Sequence, residues 1–552
     1  MTETLPTTTT GAAQVVTALE QLEVRLVFGL PGVHNLPIWK ALRDSGIRLV
    51  GVRHEQTAVY AADGYARASG ELGVALVTTG PGAANTLGAT GEAMASGSPV
   101  LVIATDIPSG LRRDGVYRGV LHETRDQAAM FVPVTKGART VRTAGEIASA
   151  VSECAALARE AQSGPVYLGI PTDLLSVGTP ASRPAMSPES PVYPNLPAAL
   201  VARACAALKG AARPVIWAGG GALRAGAGEL VGELALRLAA PVLTTYLARG
   251  LLAPEHPCLV TGPVHAPEVG RLWDEADVVL AIGSDFDGMM TQNWLMPAPP
   301  TLIAINVDEA DANKNYPADV TLVGDARTVL ERLLPTLAQR DGADELQRGL
   351  VALADEVRAA VLADDEQAAV FLEVMRATLP AEAVVLADMC IPGYWLAGYH
   401  RVPAPRKFAY PMGWGTLGFA FPAAIGAALA GAAPAVCVTG DGGFMFACGE
   451  LATAVETRVP LTIVLVDDGG YGMLSFDQER AGDEPFGVDL VRPDFVALAA
   501  AFGVRARSVD GFGPEYADAL REAIADGEPR MIVVRAALKP PPTTSPRWYR
   551  RG

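Results

Sequence analysis

Two acidic, glycine-rich clusters stand close together in the stretch GDGGFMFACGELATAVETRVPLTIVLVDDGGYG, which runs from Gly440 to Gly472. Asp441 follows the apolar run PAVCVTG, and Asp467 and Asp468 follow the β-branched run LTIVLV. Carboxylate oxygens beside glycine amides suit a hard divalent cation shared with a phosphate, because Mg²⁺ takes oxygen ligands in near-octahedral geometry and leaves part of its shell to phosphate groups. One Asp-Gly after a strand more often only turns the chain. Two of them, joined by the helix-compatible segment FACGELATAVETR, carry more weight. Strand-helix-strand units cross over right-handed and make their strands parallel, so both clusters come to the carboxyl-end edge of one sheet. Open α/β sheets bind ligands at that edge, where glycines let backbone N–H groups approach an anion.

A second constellation lies far upstream. The segment IRLVGVRHEQTAVYAADGYARASG places Glu55 just past an apolar strand and in the first turn of a helix. A carboxyl group among apolar neighbours there is suited to proton transfer, although an acid in a first turn also simply complements the helix dipole. One strand later, TTGPGAANTLGA gives a tight Gly-Pro-Gly turn at residues 80 to 82 with Asn85 beyond it.

The elements that must position these residues form three α/β blocks. Short apolar runs such as RLVFGLPG, GVALVTTGPG and PVLVIATD alternate with Ala-rich helical stretches over residues 1–180, an alternation that implies a parallel sheet. Residues 181–197, rich in Pro and Ser, read as a linker. A central block with strands RPVIWAGGGA, APVLTTY, ADVVLAIGSDFD and TLIAINVD occupies 198–340, and the charged segment 341–365 reads as a linking helix. The third block, 366–538, holds AVVLADMC, AVCVTGDGG, LTIVLVDDGG and RMIVVRAAL, and 539–552 is a Pro-rich tail.

With 552 residues, half of them hydrophobic, the chain can bury several cores. A formal net charge of −16 argues against a nucleic-acid surface and against attraction to anionic lipid. The start MTETLPTTTT lacks the basic and apolar regions of a secretory signal, and no run of transmembrane length appears, so a cytoplasmic protein is expected. Six cysteines without CxxC spacing suggest neither a disulfide framework nor a zinc site.

Taken together, GDGGF followed by VDDGGYG resembles the diphosphate-binding signature of thiamine diphosphate enzymes, and RHEQTAVYAADGYAR with GPGAANT resembles their pyrimidine-side domain. The resemblance spans essentially the whole chain and points to the acetolactate synthase, benzoylformate decarboxylase and 2-oxo acid decarboxylase superfamily, strengthened by KFAYPMGWGTLGFAFPAAIGAALA and PDFVALAAAFGV. It implies three α/β domains with parallel sheets: pyrimidine-binding, central Rossmann-like and diphosphate-binding. The cofactors implied are thiamine diphosphate and Mg²⁺. Segments IWAGGGA and AIGSDFD are similar to FAD-binding segments of acetolactate synthases, but relatives with an empty central domain share them, and FAD is not predicted.

On this resemblance Glu55 would hydrogen-bond the aminopyrimidine N1′, and Pro81 and Asn85 would line its side of the cleft. Gly415 would offer its carbonyl to the 4′-amino group, with Leu417 wedged beneath the cofactor, although Leu417 also reads as a plain core leucine. Asp441 and Asp468 would bind Mg²⁺ through their side chains and Gly470 through its carbonyl. The amides of Gly442 and Gly443 would face the diphosphate, and Met473 would complete the cofactor site. His122, where relatives carry Gln or His, and His34, on the loop GLPGVHNLP, are the candidate proton donors; His34 reads equally well as a helix-entry residue.

The chain departs from the family pattern at three places. Asp468 stands where Asn is usual, Ile391 and Pro392 replace polar diphosphate contacts, and Asp477 falls near the position of a substrate-selecting tryptophan of acetolactate synthases. The motifs GLPGVHNLPIWKAL, RGVLHETRDQ and GVDLVRPDFVALA look more like the branch with guanidino-oxo acid decarboxylases, in which Asp477 or Glu479 would meet a cationic tail. The expected activity is decarboxylation of a small 2-oxo acid with ligation of the resulting carbanion to an acceptor carbonyl. The alternatives are a decarboxylase that stops at the aldehyde and a non-catalytic binder of the cofactor. A homodimer or homotetramer with active sites between subunits is implied.

Overall fold

The computed structural model describes residues 8–113, 115–180, 196–431 and 434–544; most of the expected linker and the end of the tail lie outside them. Three parallel sheets carry the architecture. In the N-terminal sheet the strands lie side by side as Arg48–Gly51, Leu26–Gly29, Gly73–Val77, Val100–Asp106, Val166–Pro171 and Gly137–Thr140. In the C-terminal sheet they lie as Phe408–Ala409, Val384–Ala387, Ala435–Gly440, Leu461–Asp467, Arg530–Arg535 and Arg505–Asp510. Numbered within each sheet in chain order, both run 2-1-3-4-6-5, so one plan is used twice. The central sheet, Val242–Thr244, Pro214–Ala218, Val278–Ile282, Leu302–Asn306 and Val320–Val323, runs 2-1-3-4-5.

Strands such as Val100–Asp106 and Val166–Pro171 are buried along their whole length. That is the consequence of helices covering both faces, and it is why they read as continuous apolar runs without alternation. In all three sheets the order reverses between the first and third strands, which opens a crevice at their carboxyl ends. A short antiparallel pair, Thr8–Thr10 with Gly178–Pro180, ties the two ends of the N-terminal block together. Among the described residues no helix is long and apolar enough to cross a membrane.

The N-terminal and C-terminal sheets are joined through two helices, Glu55–Ser69 and Ala420–Leu429. A Cβ on Gly64 would collide with the carbonyl oxygen of Ala423, and one on Gly426 with that of Ala61. The helices therefore touch backbone to backbone, and only glycine at these two positions permits it.

FACGELATAVETR, residues 446–458, expected as one helix, is shorter than that: a 3-10 turn, Cys448–Glu450, runs directly into the helix Leu451–Thr457. Glu450 ends the turn, and its buried carboxylate accepts the backbone N–H groups of Arg53 (3.0 Å) and His54 (3.0 Å) and the Thr453 hydroxyl (2.6 Å). Such a carboxylate caps the strand-to-helix junction ahead of Glu55.

Gly64→Ala and Gly426→Ala are each expected to lower unfolding free energy by about 1–3 kcal/mol through overpacking. Gly349→Ala, inside the helix Ala343–Asp364 with nothing within 4 Å of its Cβ position, should raise it by up to about 1 kcal/mol. Denaturant titration of the three variants checks the contrast.

Candidate active site

Asp441 is 2% exposed and opens the single turn that follows Ala435–Gly440. Its Oδ1 accepts the Gly442 N–H at 2.8 Å and its Oδ2 the Gly469 N–H at 3.2 Å, so the carboxylate is fixed by the amides of both glycine clusters. The Asp468 side chain comes to it from the next strand. Burial, and then the charge of Asp441, push the Asp468 carboxyl up to about 7, and burial raises Asp441 as well. Two acids facing each other, Asp441 buried and Asp468 half-buried, favour a shared proton or a cation between them. Asp467 turns outward to Arg492 at 3.1 Å and adds to the pair only through its charge.

Tyr471 N–H donates to Val488 O at 2.9 Å, which fixes the chain beside Gly470. Gly442 and Gly443 leave a cradle: a Cβ on the first would stand 2.7 Å from the Tyr471 ring and on the second 2.9 Å from Asp388 Oδ2. Among the described residues no group of three or more His, Cys, Asp or Glu side chains could hold a metal ion. The oxygens of Asp441 and Asp468 are the donor type that could hold a hard cation, and glycine N–H groups beside them are the type that could meet a phosphate.

Asp388, which the motif reading passed over, organises this edge. It ends the strand Val384–Ala387, is fully buried, and accepts four hydrogen bonds: Met389 N (3.0 Å), Gly418 N (3.1 Å), Phe419 N (3.3 Å) and Thr439 Oγ1 (3.0 Å). Burial pushes its carboxyl up to about 6. The bonds to Gly418 and Phe419 fasten the loop that carries Gly415, at φ 73°, and half-buried Leu417. Met389 Cε lies 3.3 Å from the Cβ position of Gly415. Ile391 packs against Gly472, which explains an apolar residue where a polar one was looked for. The signal was present in the sequence: an acid directly after an apolar strand, as at Asp441.

At the edge of the N-terminal sheet, Glu55 is the first residue of its helix and is buried. Asn85 Nδ2 donates to its Oε2 at 3.0 Å, and Oε1 faces Gly82. Pro81 begins the turn Pro81–Ala84. Gly80, at φ 64°, passes so close to the His122 backbone that a Cβ would meet its carbonyl oxygen at 2.5 Å. The Gly80 N–H donates to Gln127 Oε1 at 2.6 Å, and Gln127 Nε2 donates to Thr105 O and Tyr167 Oη. Buried Gln127 thus holds the Gly-Pro-Gly turn, a role invisible without the tertiary contacts.

His34 and His122 meet edge to face, ring centroids 5.3 Å apart. Neither buried Nδ1 has a hydrogen-bond partner among the described residues. Burial, and then His122, lower the basicity of His34 and so favour its neutral form. Asp477 turns to Arg480 at 3.5 Å and Glu479 is exposed, so neither carboxylate waits buried for a cationic tail. The central sheet has its own cavity of about 570 Å³, with Gly219–Gly221 and Asn306 at its strand ends.

Family models for thiamine pyrophosphate enzymes match three parts of the chain. These are the N-terminal TPP binding domain over residues 9–130, the central domain over 201–333 and the C-terminal TPP binding domain over 389–534. The chain is 37% identical to a probable 2-ketoarginine decarboxylase, AruI, of Pseudomonas aeruginosa, over 91% of this chain and 89% of the relative. It is 32% identical to a probable acetolactate synthase large subunit of Methanocaldococcus jannaschii (95% and 91%). It is also 32% identical to the acetolactate synthase isozyme 3 large subunit of Escherichia coli (89% and 88%). With both cofactor-side domains matched and the glycine-acid edges in place, the chain belongs to the thiamine pyrophosphate-dependent enzyme family, in the group of acetolactate synthases and 2-ketoarginine decarboxylase.

Proposed function

We propose that this protein is a Mg²⁺-dependent enzyme that decarboxylates a 2-oxo acid and joins the product to an acceptor carbonyl. The observation that carries the reading is the facing pair Asp441 and Asp468, held by glycine amides at the carboxyl edge of the C-terminal sheet. Bound thiamine diphosphate would supply the electron sink that allows CO₂ to leave. Asp441, Asp468 and the Gly470 carbonyl would hold Mg²⁺, with the Gly443 amide on the diphosphate, while the Gly442 amide is engaged by Asp441 at 2.8 Å. Glu55, oriented by Asn85, would hold a proton at the aminopyrimidine N1′, and Gly415 would receive the amino group, with Leu417 beneath. His122 would then protonate or position the acceptor, with His34 packed against it as the second candidate for proton transfer.

Glu55 and Asp441 belong to different sheet edges, and apolar side chains beside each edge are exposed. Val33, Tyr117 and Leu121 flank the histidines at 66%, 61% and 63% exposure, and Trp414, Phe446 and Leu474 flank the acids at 53%, 56% and 52%. Such surfaces mark association, and they support a homodimer or a pair of dimers in which one subunit's Glu55 edge faces its partner's Asp441 edge.

Mass spectrometry of products from a panel of 2-oxo acids is expected to give CO₂ and an acyloin-type product; aldehyde alone would favour the simple decarboxylase, and no turnover despite bound cofactor would reject an enzymatic role. Glu55→Gln should lower kcat by about 10²–10⁴-fold while calorimetric cofactor binding stays within a few-fold. Sedimentation should find dimers or tetramers, and an active monomer would contradict the assembly. Because folded His34 resists protonation, its contribution to stability is full above its unfolded value and is lost as pH falls below about 6.5. His34→Asn should therefore lose less stability than wild type between pH 7 and pH 5 in urea titrations.

A further inference from the structure

A cavity of about 260 Å³ lies between the central and C-terminal blocks, and of the residues lining it only Met473 has been given a role above. Met389 and Met473 form its wall toward the cofactor edge. Met389 is the same side chain that stands against Gly415, and its Sδ receives the Tyr410 hydroxyl at 3.0 Å. The cavity thus adjoins the place where the reacting atoms would be held.

The opposite wall is a strained turn. Gln292, Asn293 and Trp294 have φ of 52°, 55° and 61°, three consecutive residues other than glycine in the left-handed region. The turn is held by Asn293 N–H to Gly288 O (2.6 Å) and by Asp287, which accepts the Met289 and Met290 N–H groups at 2.9 Å. Non-glycine residues adopt this conformation singly, and runs of it persist where surrounding structure enforces them, commonly at ligand-binding walls. Here the enforced turn brings the Gln292 and Asn293 positions to the cavity.

Among the described residues no Asp, Glu, Lys or Arg lines this cavity. Its polar atoms are tyrosine and threonine hydroxyls, amides and the His265 ring, whose Nε2 is engaged with Met290 O at 2.8 Å. Asp477 is turned to Arg480. A guanidinium or carboxylate entering would be stripped of water without an ionic partner. Thioethers and aromatic faces, by contrast, adapt to apolar groups of varied shape.

We propose that this cavity receives the side chain of the 2-oxo acid and selects uncharged groups, the size of benzyl or methylthioethyl, over guanidino-bearing ones. The inference rests on the proposed function and names its substrate class. It separates this chain from what the name of its Pseudomonas relative states.

The test is steady-state kinetics of the full chain with thiamine diphosphate and Mg²⁺ on phenylpyruvate, 4-methylthio-2-oxobutanoate, pyruvate and 5-guanidino-2-oxopentanoate. The first two should exceed the guanidino acid in kcat/KM by about tenfold or more. Ala397→Phe, which fills the cavity, should lower the ratio of kcat/KM for phenylpyruvate to that for pyruvate by about tenfold. Asn293→Asp, which gives the wall a carboxylate, should raise the guanidino acid relative to phenylpyruvate by about tenfold. The guanidino acid as best substrate, unmoved ratios in both folded variants, or a tightly bound flavin that Ala397→Phe expels would each overturn the proposal. If wild type turns over none of the acids with cofactor bound, the functional reading itself fails and takes this one with it.

Discussion

Two helices can approach until main chain meets main chain only where neither presents a side chain. At Gly64 against Ala423 and Gly426 against Ala61 that constraint sets the relation between the two six-stranded sheets. Each helix is also the one that follows a functional loop: Glu55 heads the first, and the Gly415–Leu417 segment leads into the second. Their crossing therefore fixes the direction in which each edge faces. A side chain at either glycine would tilt one edge relative to the other, with no change in any residue that does chemistry.

The edges themselves are built from buried carboxylates of two kinds. Glu450 and Asp388 spend their oxygens on backbone N–H groups of the chain, and so shape the loops that precede Glu55 and contain Gly415. Asp441 and Asp468 keep oxygen directed at each other, an arrangement whose electrostatic cost only a positive charge or a proton relieves. The first kind is architecture and the second is a demand for a ligand. The distinction lies in the number of donors each acid receives more than in burial, since Asp441 is as buried as Glu450 and Asp388, while Asp468 is half-buried.

Much of this was legible before any coordinates. The alternation of apolar runs with Ala-rich stretches implied the parallel sheets, and the crossover argument put Asp441 and Asp468 at one edge. Orientation was not legible. Asp467 and Asp468 are neighbours of the same type, and what separates them is Arg492, which meets only the first. Asp477 looked available for a cationic group until its pairing with Arg480 was visible. Gln127 and Asp388 were missed because their work consists of hydrogen bonds to residues remote in the chain, and no local pattern encodes that. The role of Glu450 was missed for the same reason, since it serves a loop 397 residues away.

The repeated strand order has a consequence for how this architecture can change. Two frames with the same 2-1-3-4-6-5 layout carry entirely different loops, one bearing imidazoles and an amide-held turn, the other acids and glycines. Chemical identity thus resides in the connections and not in the layers beneath them. Segments such as 29–35 or 468–476 could be exchanged between relatives without disturbing the buried strands, which makes the scaffold a chassis on which new reactivities can be fitted piecemeal.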